Sequence, residues 1–105
     1  MTAKEFLFDI PEKINMKLLD GLESVFHFEL EGENSGPVTI VIKANEIKVE
    51  EGLIGEPNCV IKATDENFKK ILKGEINPMM ALLTGKLKVV NQMEMMKFAK
   101  ILGWM

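Results

Sequence analysis

The chain has 105 residues, a net charge of −3, 47% apolar residues and 28% charged residues. This length is typical of one domain with one core, so we expect residues 1–105 to form a single domain. The negative net charge argues against a positive electrostatic field over the whole protein of the kind that attracts nucleic acid.

The single cysteine excludes an internal disulfide and fits a reducing compartment. All thirteen cationic side chains are lysine, which argues against the bidentate anion recognition that arginine serves best. The N-terminus lacks the apolar core of a signal peptide, and no apolar run has the length of a membrane span. We therefore expect a cytoplasmic protein.

The first elements in chain order are predicted to be an arm and a helix. Residues 1–10 form a short apolar arm. Residues 11–22 are predicted to be helical, because Pro11 suits a first turn and Ile14 and Leu18 recur at helical spacing.

Between residues 25 and 64 the hydrophobic period changes to two, the period of strands with one buried face. Four such segments, separated by turn-forming residues, predict a mainly antiparallel sheet. A fifth strand is predicted over residues 86–90. The apolar face is predicted to carry Phe26, Phe28, Leu30, Val38, Ile40, Ile42, Ile47, Val49, Cys59, Ile61, Ala63, Leu87 and Val89.

The C-terminal part returns to helical spacing. Thr64 or Asp65 is predicted to cap a helix that ends at Gly74. Asn77, which is followed by proline, begins a second helix that ends at Gly85.

A closing helix is predicted to begin after Asn91, with Glu94 as a partner of the capping-box kind. Its main apolar stripe is Met95, Phe98, Ala99 and Leu102.

The residues offer little for catalysis. Gly85-Lys86 is not a phosphate-binding loop, because such a loop requires serine or threonine where Leu87 stands. His27 lies on the polar face of a strand and is interpreted as a solvated or hydrogen-bonded surface histidine. Cys59 lies on the apolar face and is interpreted as a buried structural thiol. We expect no enzymatic activity, no metal site and no cofactor.

The methionines have two interpretations. Six of the eight lie within residues 76–105. Methionine at helical spacing is most often core, but its flexible thioether also suits the wall of a site for apolar ligands. The C-terminal helices are apolar over more than one face while the sheet has one apolar face to cover, which favours an apolar cavity between them.

The order of these elements resembles the sterol carrier protein type 2 family, over residues from about 14 to 102. A strand ends in threonine before an acidic helix start with a phenylalanine. A glycine, an Asn-Pro pair, an apolar helix, a Gly-Lys-Leu-Lys-Val strand and a closing helix follow. The residues that carry the resemblance are Thr64, Asp65, Phe68, Gly74, Asn77, Pro78, Gly85, Lys86, Leu87, Lys88 and Val89.

The resemblance implies an α+β fold, in which a five-stranded sheet is covered on one face by helices around a hydrophobic tunnel. It also implies non-catalytic binding and carriage of a fatty acid, acyl-CoA, sterol or other lipid. Such a carrier is compatible with a transient membrane contact. The candidate ligand-binding residues are Phe68, Leu72, Met79, Met80, Leu83, Met95, Phe98 and Leu102.

The alternative is a module that dimerises or docks on a partner enzyme through its closing helix, with Trp104 and Met105 as contact residues. The sequence leaves a monomer or a homodimer open.

Overall fold

A computed structural model of the chain describes residues 2–14, 16–19, 21–33 and 35–102, without the side chains of Met16, Leu18 and Leu102. Among the described residues, a helix and a 3₁₀ turn precede four consecutive strands, and two helices, a fifth strand and a last helix follow. In chain order they are α1 (Ala3–Lys13), a 3₁₀ turn (Met16–Leu19), β1 (Ser24–Glu31), β2 (Pro37–Lys43), β3 (Glu46–Glu51), β4 (Cys59–Thr64), α2 (Asp65–Leu72), α3 (Pro78–Leu83), β5 (Lys88–Val90) and α4 (Gln92–Leu102).

The five strands form one sheet in the order β3-β2-β1-β4-β5. Neighbouring strands are antiparallel except for the central pair, β1 and β4, which is parallel. The predicted α+β fold and mainly antiparallel sheet are therefore confirmed. In the register, Phe26 lies beside Ile40 on one side and Cys59 on the other, so the apolar side chains share one inner face.

The helices cover this inner face. Phe26, Phe28, Val38 and Ile40 are fully buried there, because alternating side chains of the strands meet the apolar sides of α1, α2 and α4.

The outer face is covered in part by the chain between β3 and β4. These strands lie on opposite sides of β1 and β2, so their connection crosses the sheet. Thr39 donates a hydrogen bond to the carbonyl of Gly52 (2.7 Å) and accepts one from the backbone N–H of Ile54 (3.0 Å). His27 contacts the Ile54 carbonyl through Nε2 at 2.9 Å and is only 6% exposed. The histidine is hydrogen-bonded, as expected, but it is buried under this crossing chain and not solvated.

The N-terminal helix begins and ends earlier than the predicted residues 11–22. The helix covers Ala3–Lys13 and contains Pro11 in its last turn, so residues 3–10 are helical and do not form an arm. The hydroxyl of Thr2 caps it by accepting from the Glu5 N–H at 3.1 Å. Leu7 and Ile10 recur at helical spacing and are buried. Pro11 has no N–H to donate, but α1 ends two residues later, so the resulting break falls in the last turn and interrupts little helix beyond it.

The predicted caps of the next two helices are confirmed. Thr64 accepts from the Asn67 N–H at 3.1 Å at the start of α2, and Asn77 accepts from the Met79 N–H at 2.8 Å at the start of α3. Gly85 has a φ of +79°, a left-handed conformation that glycine adopts without strain, and it ends the turn after α3. Among the described residues, no helix is long and apolar enough to cross a membrane.

Candidate functional site

Four phenylalanines form a connected cluster between the sheet and the helices, which we call the aromatic core. Phe98 of α4 lies 5.0 Å from Phe26 and 5.4 Å from Phe28, measured between ring centroids. Phe68 of α2 meets Phe28 edge to face at 5.8 Å. These spacings are those of favourable aromatic pairs, each of which contributes about 0.5–1.5 kcal/mol beyond area burial. The aromatic core therefore joins α2 and α4 to the central strand.

Local structure directs the two helices toward this cluster. The Thr64 cap begins α2 immediately after β4, so Phe68 falls one turn later over the inner face. In α4, Met95 and Phe98 are three residues apart and share one side of the helix. Their exposed fractions are 2% and 0%, so both candidate wall residues lie inside the core.

A polar anchor holds the start of α4 against the sheet. The Ser24 hydroxyl donates to the Glu94 carboxylate at 2.7 Å, and the Lys97 ammonium donates to the same carboxylate at 2.8 Å. The hydrogen bond from Lys97, and secondly the one from Ser24, hold the pKa of Glu94 below its ordinary value. Asn91 caps α4 as predicted, by accepting from the Glu94 N–H at 3.4 Å, whereas the Glu94 carboxylate bonds across to Ser24 of β1.

We expect Glu94→Gln to reduce stability at neutral pH, by about 1–2 kcal/mol, since a charged acceptor is lost. A carboxyl with a lowered pKa in the folded state stabilises the fold above its unfolded pKa. That contribution is lost as the pH falls through the lower folded pKa. The difference between parent and variant should therefore shrink in acid. Urea unfolding at several pH values measures it, and an equal difference at neutral and acidic pH would contradict the assignment.

Cys59 lies on the inner face beside Phe26 and is 1% exposed. Burial, and secondly the nearby Glu94 carboxylate, raises the pKa of its thiol to about 11. The thiol is consequently protonated at neutral pH and is not an activated nucleophile. The interpretation as a buried structural cysteine is confirmed.

Helix α3 presents its apolar side chains outward. Met79, Met80 and Leu83 are 54%, 54% and 80% exposed, and at one and four residues apart they share one side of the helix. Ala81, on the opposite side, is the one side chain of this fully described helix that is buried. A short hydrogen-bonded link, from the Leu87 N–H to the Ala81 carbonyl at 3.1 Å, ties α3 to the start of β5.

The candidate wall residues thus fall into separate places. Phe68, Met95 and Phe98 lie in or beside the aromatic core, whereas the α3 residues are exposed. Leu72 is half-buried and faces α1, where it lines a cavity of about 130 Å³ with Phe6. The side chain of Leu102 lies outside the described residues, as do Trp104 and Met105. That these residues bind a ligand stays a prediction.

Two residues of the aromatic core were missed as site candidates. Phe26 and Phe28 were predicted on the inner face, but only helical residues were considered as walls. The signal was their period-two spacing on a strand that was expected to face the closing helix. Within the described ranges no cluster of three acidic, histidine or cysteine side chains could hold a metal ion.

A family model described as the SCP-2 sterol transfer family matches residues 3–103. Hydroxysteroid dehydrogenase-like protein 2 of Xenopus laevis is 31% identical over 98 residues, which is 91% of this chain and 24% of that protein. The chain spans about a quarter or less of the curated relatives that it matches.

Solved structures share the fold. The sterol carrier protein domain 2 of Helicoverpa armigera is 23% identical with a TM-score of 0.70, over 94% of this chain and 81% of that one. Palmitated SCP2L2 from Aedes aegypti is 18% identical with a TM-score of 0.70, over 97% of this chain and 95% of that one.

Proposed function

Because the chain belongs to the SCP-2 sterol transfer family, we propose that it is a non-catalytic domain that binds and carries one hydrophobic ligand between the sheet and its C-terminal helices. The domain is proposed to comprise residues 1–105, and the ligand to be a fatty acid, acyl-CoA, sterol or other lipid. The observation that carries the proposal is the outward apolar face of α3 beside a helix-covered apolar sheet.

The exposed face of α3 is unusual for a helix of a globular protein. Three large apolar side chains, those of Met79, Met80 and Leu83, face solvent, while the small Ala81 faces the core. Globular helices normally turn their large apolar side chains inward. A bound lipid would cover this face and remove the cost of its exposure to water.

Helix α3 is suited to local opening. It has only six residues, far fewer than an isolated helix needs for stability in water. Few buried apolar side chains hold it, and segments of this kind open at low free-energy cost. We propose that a ligand enters as α3 moves away from the core and turns its outward apolar face toward it. Its apolar part then lies in a tunnel between Met79, Met80 and Leu83 on one side and the aromatic core on the other.

The energetics favour a long apolar chain. Each buried methylene contributes about 0.8 kcal/mol, so a long acyl chain contributes roughly 10 kcal/mol before the costs of ordering and of opening are subtracted. Met95, Phe98 and Phe68 have no polar atom to match a ligand head group, so the proposed site distinguishes ligands by apolar length and shape. Palmitate is a suitable first probe, and a palmitated neighbour with this fold supports the choice.

The test is a calorimetric titration of the purified, delipidated chain with palmitate at several temperatures, followed by thermal unfolding of the chain with and without palmitate. We expect saturation at one ligand per chain, a negative heat capacity change from apolar burial, and a stabilisation of about 2.7 kcal/mol at a free ligand concentration of 100 times Kd. No saturable uptake of palmitate or cholesterol would refute the proposal.

A second candidate function is a dimerisation or docking module for a partner enzyme. The observation in its favour is that the matching segment makes up 24% of a dehydrogenase-like relative. Light scattering after size exclusion tests self-association: a chain that stays monomeric at high concentration would rule out the dimerisation function.

The single cysteine, buried and unpaired, supports a proposed reducing location such as the cytoplasm.

A further inference from the structure

Methionine is prominent among the apolar side chains that this protein exposes. Of the nine large apolar side chains that are exposed among the described residues, four are those of Met79, Met80, Met93 and Met96. Met95, at 2% exposure, is the one described methionine side chain that is buried. The proposed function requires an apolar wall on α3, but it does not explain why that wall contains methionine.

The thioether adds a reactivity that leucine lacks. Leucine and methionine have similar volumes and similar helix propensities, so leucine could build the whole outward face of α3, as it does at Leu83. A methionine sulfur, in contrast, is oxidised to a sulfoxide, which is polar and which dedicated reductases convert back. Met79 and Met80 are each 54% exposed, so both sulfur-bearing side chains are open to a small oxidant.

The thiol of the chain is a poor competitor for the same oxidant. Cys59 is 1% exposed. Burial, and secondly the Glu94 carboxylate, raises the pKa of this thiol to about 11, whereas the reactive species toward a peroxide is the thiolate. A chain with one cysteine also forms no internal disulfide. Oxidation is therefore directed to the exposed thioethers.

We propose that Met79 and Met80 are sites of reversible oxidation by a peroxide, and that their sulfoxides release the bound lipid. The inference rests on the proposed function, because the lipid is what covers these two side chains. With hydrogen peroxide, the sulfur attacks one oxygen, so that an S–O bond forms and the O–O bond breaks. The proton on the transferred oxygen moves to the leaving oxygen, which departs as water, and the sulfur has lost two electrons.

The reverse step requires a thiol-dependent methionine sulfoxide reductase. Two thiols supply two electrons and two protons and become a disulfide. The S–O bond breaks, the oxygen leaves as water, and the thioether is restored.

Exposure determines where a sulfoxide is costly. In the free chain the oxygen on Met79 or Met80 stays hydrated, so the fold should keep its stability. Under an acyl chain the same oxygen would lose water among apolar neighbours that donate no hydrogen bond, so ligand binding should weaken. Met93 is 77% exposed and lies outside the proposed wall, so its oxidation should not affect binding.

The first test measures the rate of oxidation at each methionine. The delipidated full chain is treated with hydrogen peroxide at neutral pH, and sulfoxides are located by digestion and mass spectrometry. We expect Met79 and Met80 to react about tenfold faster than the buried Met95. Saturating palmitate should slow the oxidation of Met79 and Met80 but not that of Met93. Equal rates at Met79, Met80 and Met95, or no slowing by palmitate, would overturn the proposal.

The second test is palmitate titration before and after oxidation, under conditions that leave Met95 unoxidised. We expect the oxidised chain to bind palmitate about tenfold more weakly, with an unchanged urea midpoint. Treatment with both methionine sulfoxide reductases, one for each sulfoxide epimer, should restore the affinity. An unchanged affinity, or a loss that the reductases do not reverse, would contradict the proposal.

Two double variants locate the effect, each compared with itself before and after peroxide. Met79→Leu/Met80→Leu should bind palmitate equally in both states, whatever its own affinity. Met93→Leu/Met96→Leu is the matched control, since it removes two exposed methionines of α4, and it should lose affinity on oxidation as the parent does. Equal losses in both variants would place the effect outside α3 and overturn the proposal.

These results separate the oxidation sites from the carrier function. A chain that takes up palmitate equally before and after oxidation overturns the oxidation proposal alone. A chain that takes up neither palmitate nor cholesterol in either state overturns the carrier function, and lipid release with it. The peroxide rates without lipid still decide in that case whether Met79 and Met80 are the sites of modification.

Discussion

Replacing Phe98 with alanine is expected to lower the free energy of unfolding by about 3–5 kcal/mol. The side chain is fully buried, and its ring meets both Phe26 and Phe28. Truncation would remove apolar burial, leave a cavity in a closely packed region and break both aromatic contacts. Because α4 meets the sheet through this residue, the loss should be among the largest for any single apolar truncation. Urea unfolding at neutral pH measures it.

Met93→Ala is the matched control for Phe98→Ala. Met93 lies on the same helix but is 77% exposed, so its truncation should change the free energy of unfolding by less than about 0.5 kcal/mol. Similar small losses for both variants would mean that α4 does not pack on the sheet through Phe98.

Met80→Asp is expected to weaken palmitate binding by about 2 kcal/mol or more, roughly thirtyfold in Kd, while the fold keeps its stability. Met80 is half-exposed in the free chain, so a carboxylate there remains hydrated until a ligand covers it. Ligand binding would then place an unpaired charge beside an acyl chain. Palmitate titration together with urea unfolding separates the two effects.

Leu53→Asp provides a closely matched control. Leu53 is 50% exposed, against 54% for Met80, and lies in the chain that crosses the outer face of the sheet. The same charge there should leave palmitate affinity unchanged. If both substitutions weaken binding equally, the added negative charge acts regardless of its position, and α3 is not a wall of the ligand site.

The inner face of the sheet could be predicted from the sequence because side chains of a strand alternate strictly between two faces. Phe26, Phe28, Ile40 and Ile61 were assigned to that face from spacing alone, and all are buried. The parallel pairing of β1 with β4 was not assigned, because period two is common to both strand directions.

The first helix illustrates a different limit. Pro11 is favourable in a first turn, so the sequence predicts a helix that begins there, whereas α1 ends two residues later. Thr2 followed by Glu5 three residues on was the available start signal. The consecutive Phe6, Leu7 and Phe8 obscured the helical spacing of the buried residues.

The candidate site could be predicted only in part from the sequence. Met95 and Phe98 belong to an eleven-residue helix, long enough for its buried stripe to be recognised. Helix α3 has six residues, most of them apolar, so spacing alone does not indicate which side meets the core. The exposure of Met79 and Leu83 depends on how the tight connections at Asn77 and Gly85 orient that helix.

The measurement that tests the carrier function most directly is native mass spectrometry of the chain purified from its own host, followed by organic extraction. We expect a stoichiometric adduct, one per chain, that extracts as a lipid and identifies the ligand class. A chain that carries no adduct, and that takes up neither palmitate nor cholesterol when these are offered, would contradict the carrier function. The methionines of α3 would then belong to a protein interface, and the docking-module function would take precedence.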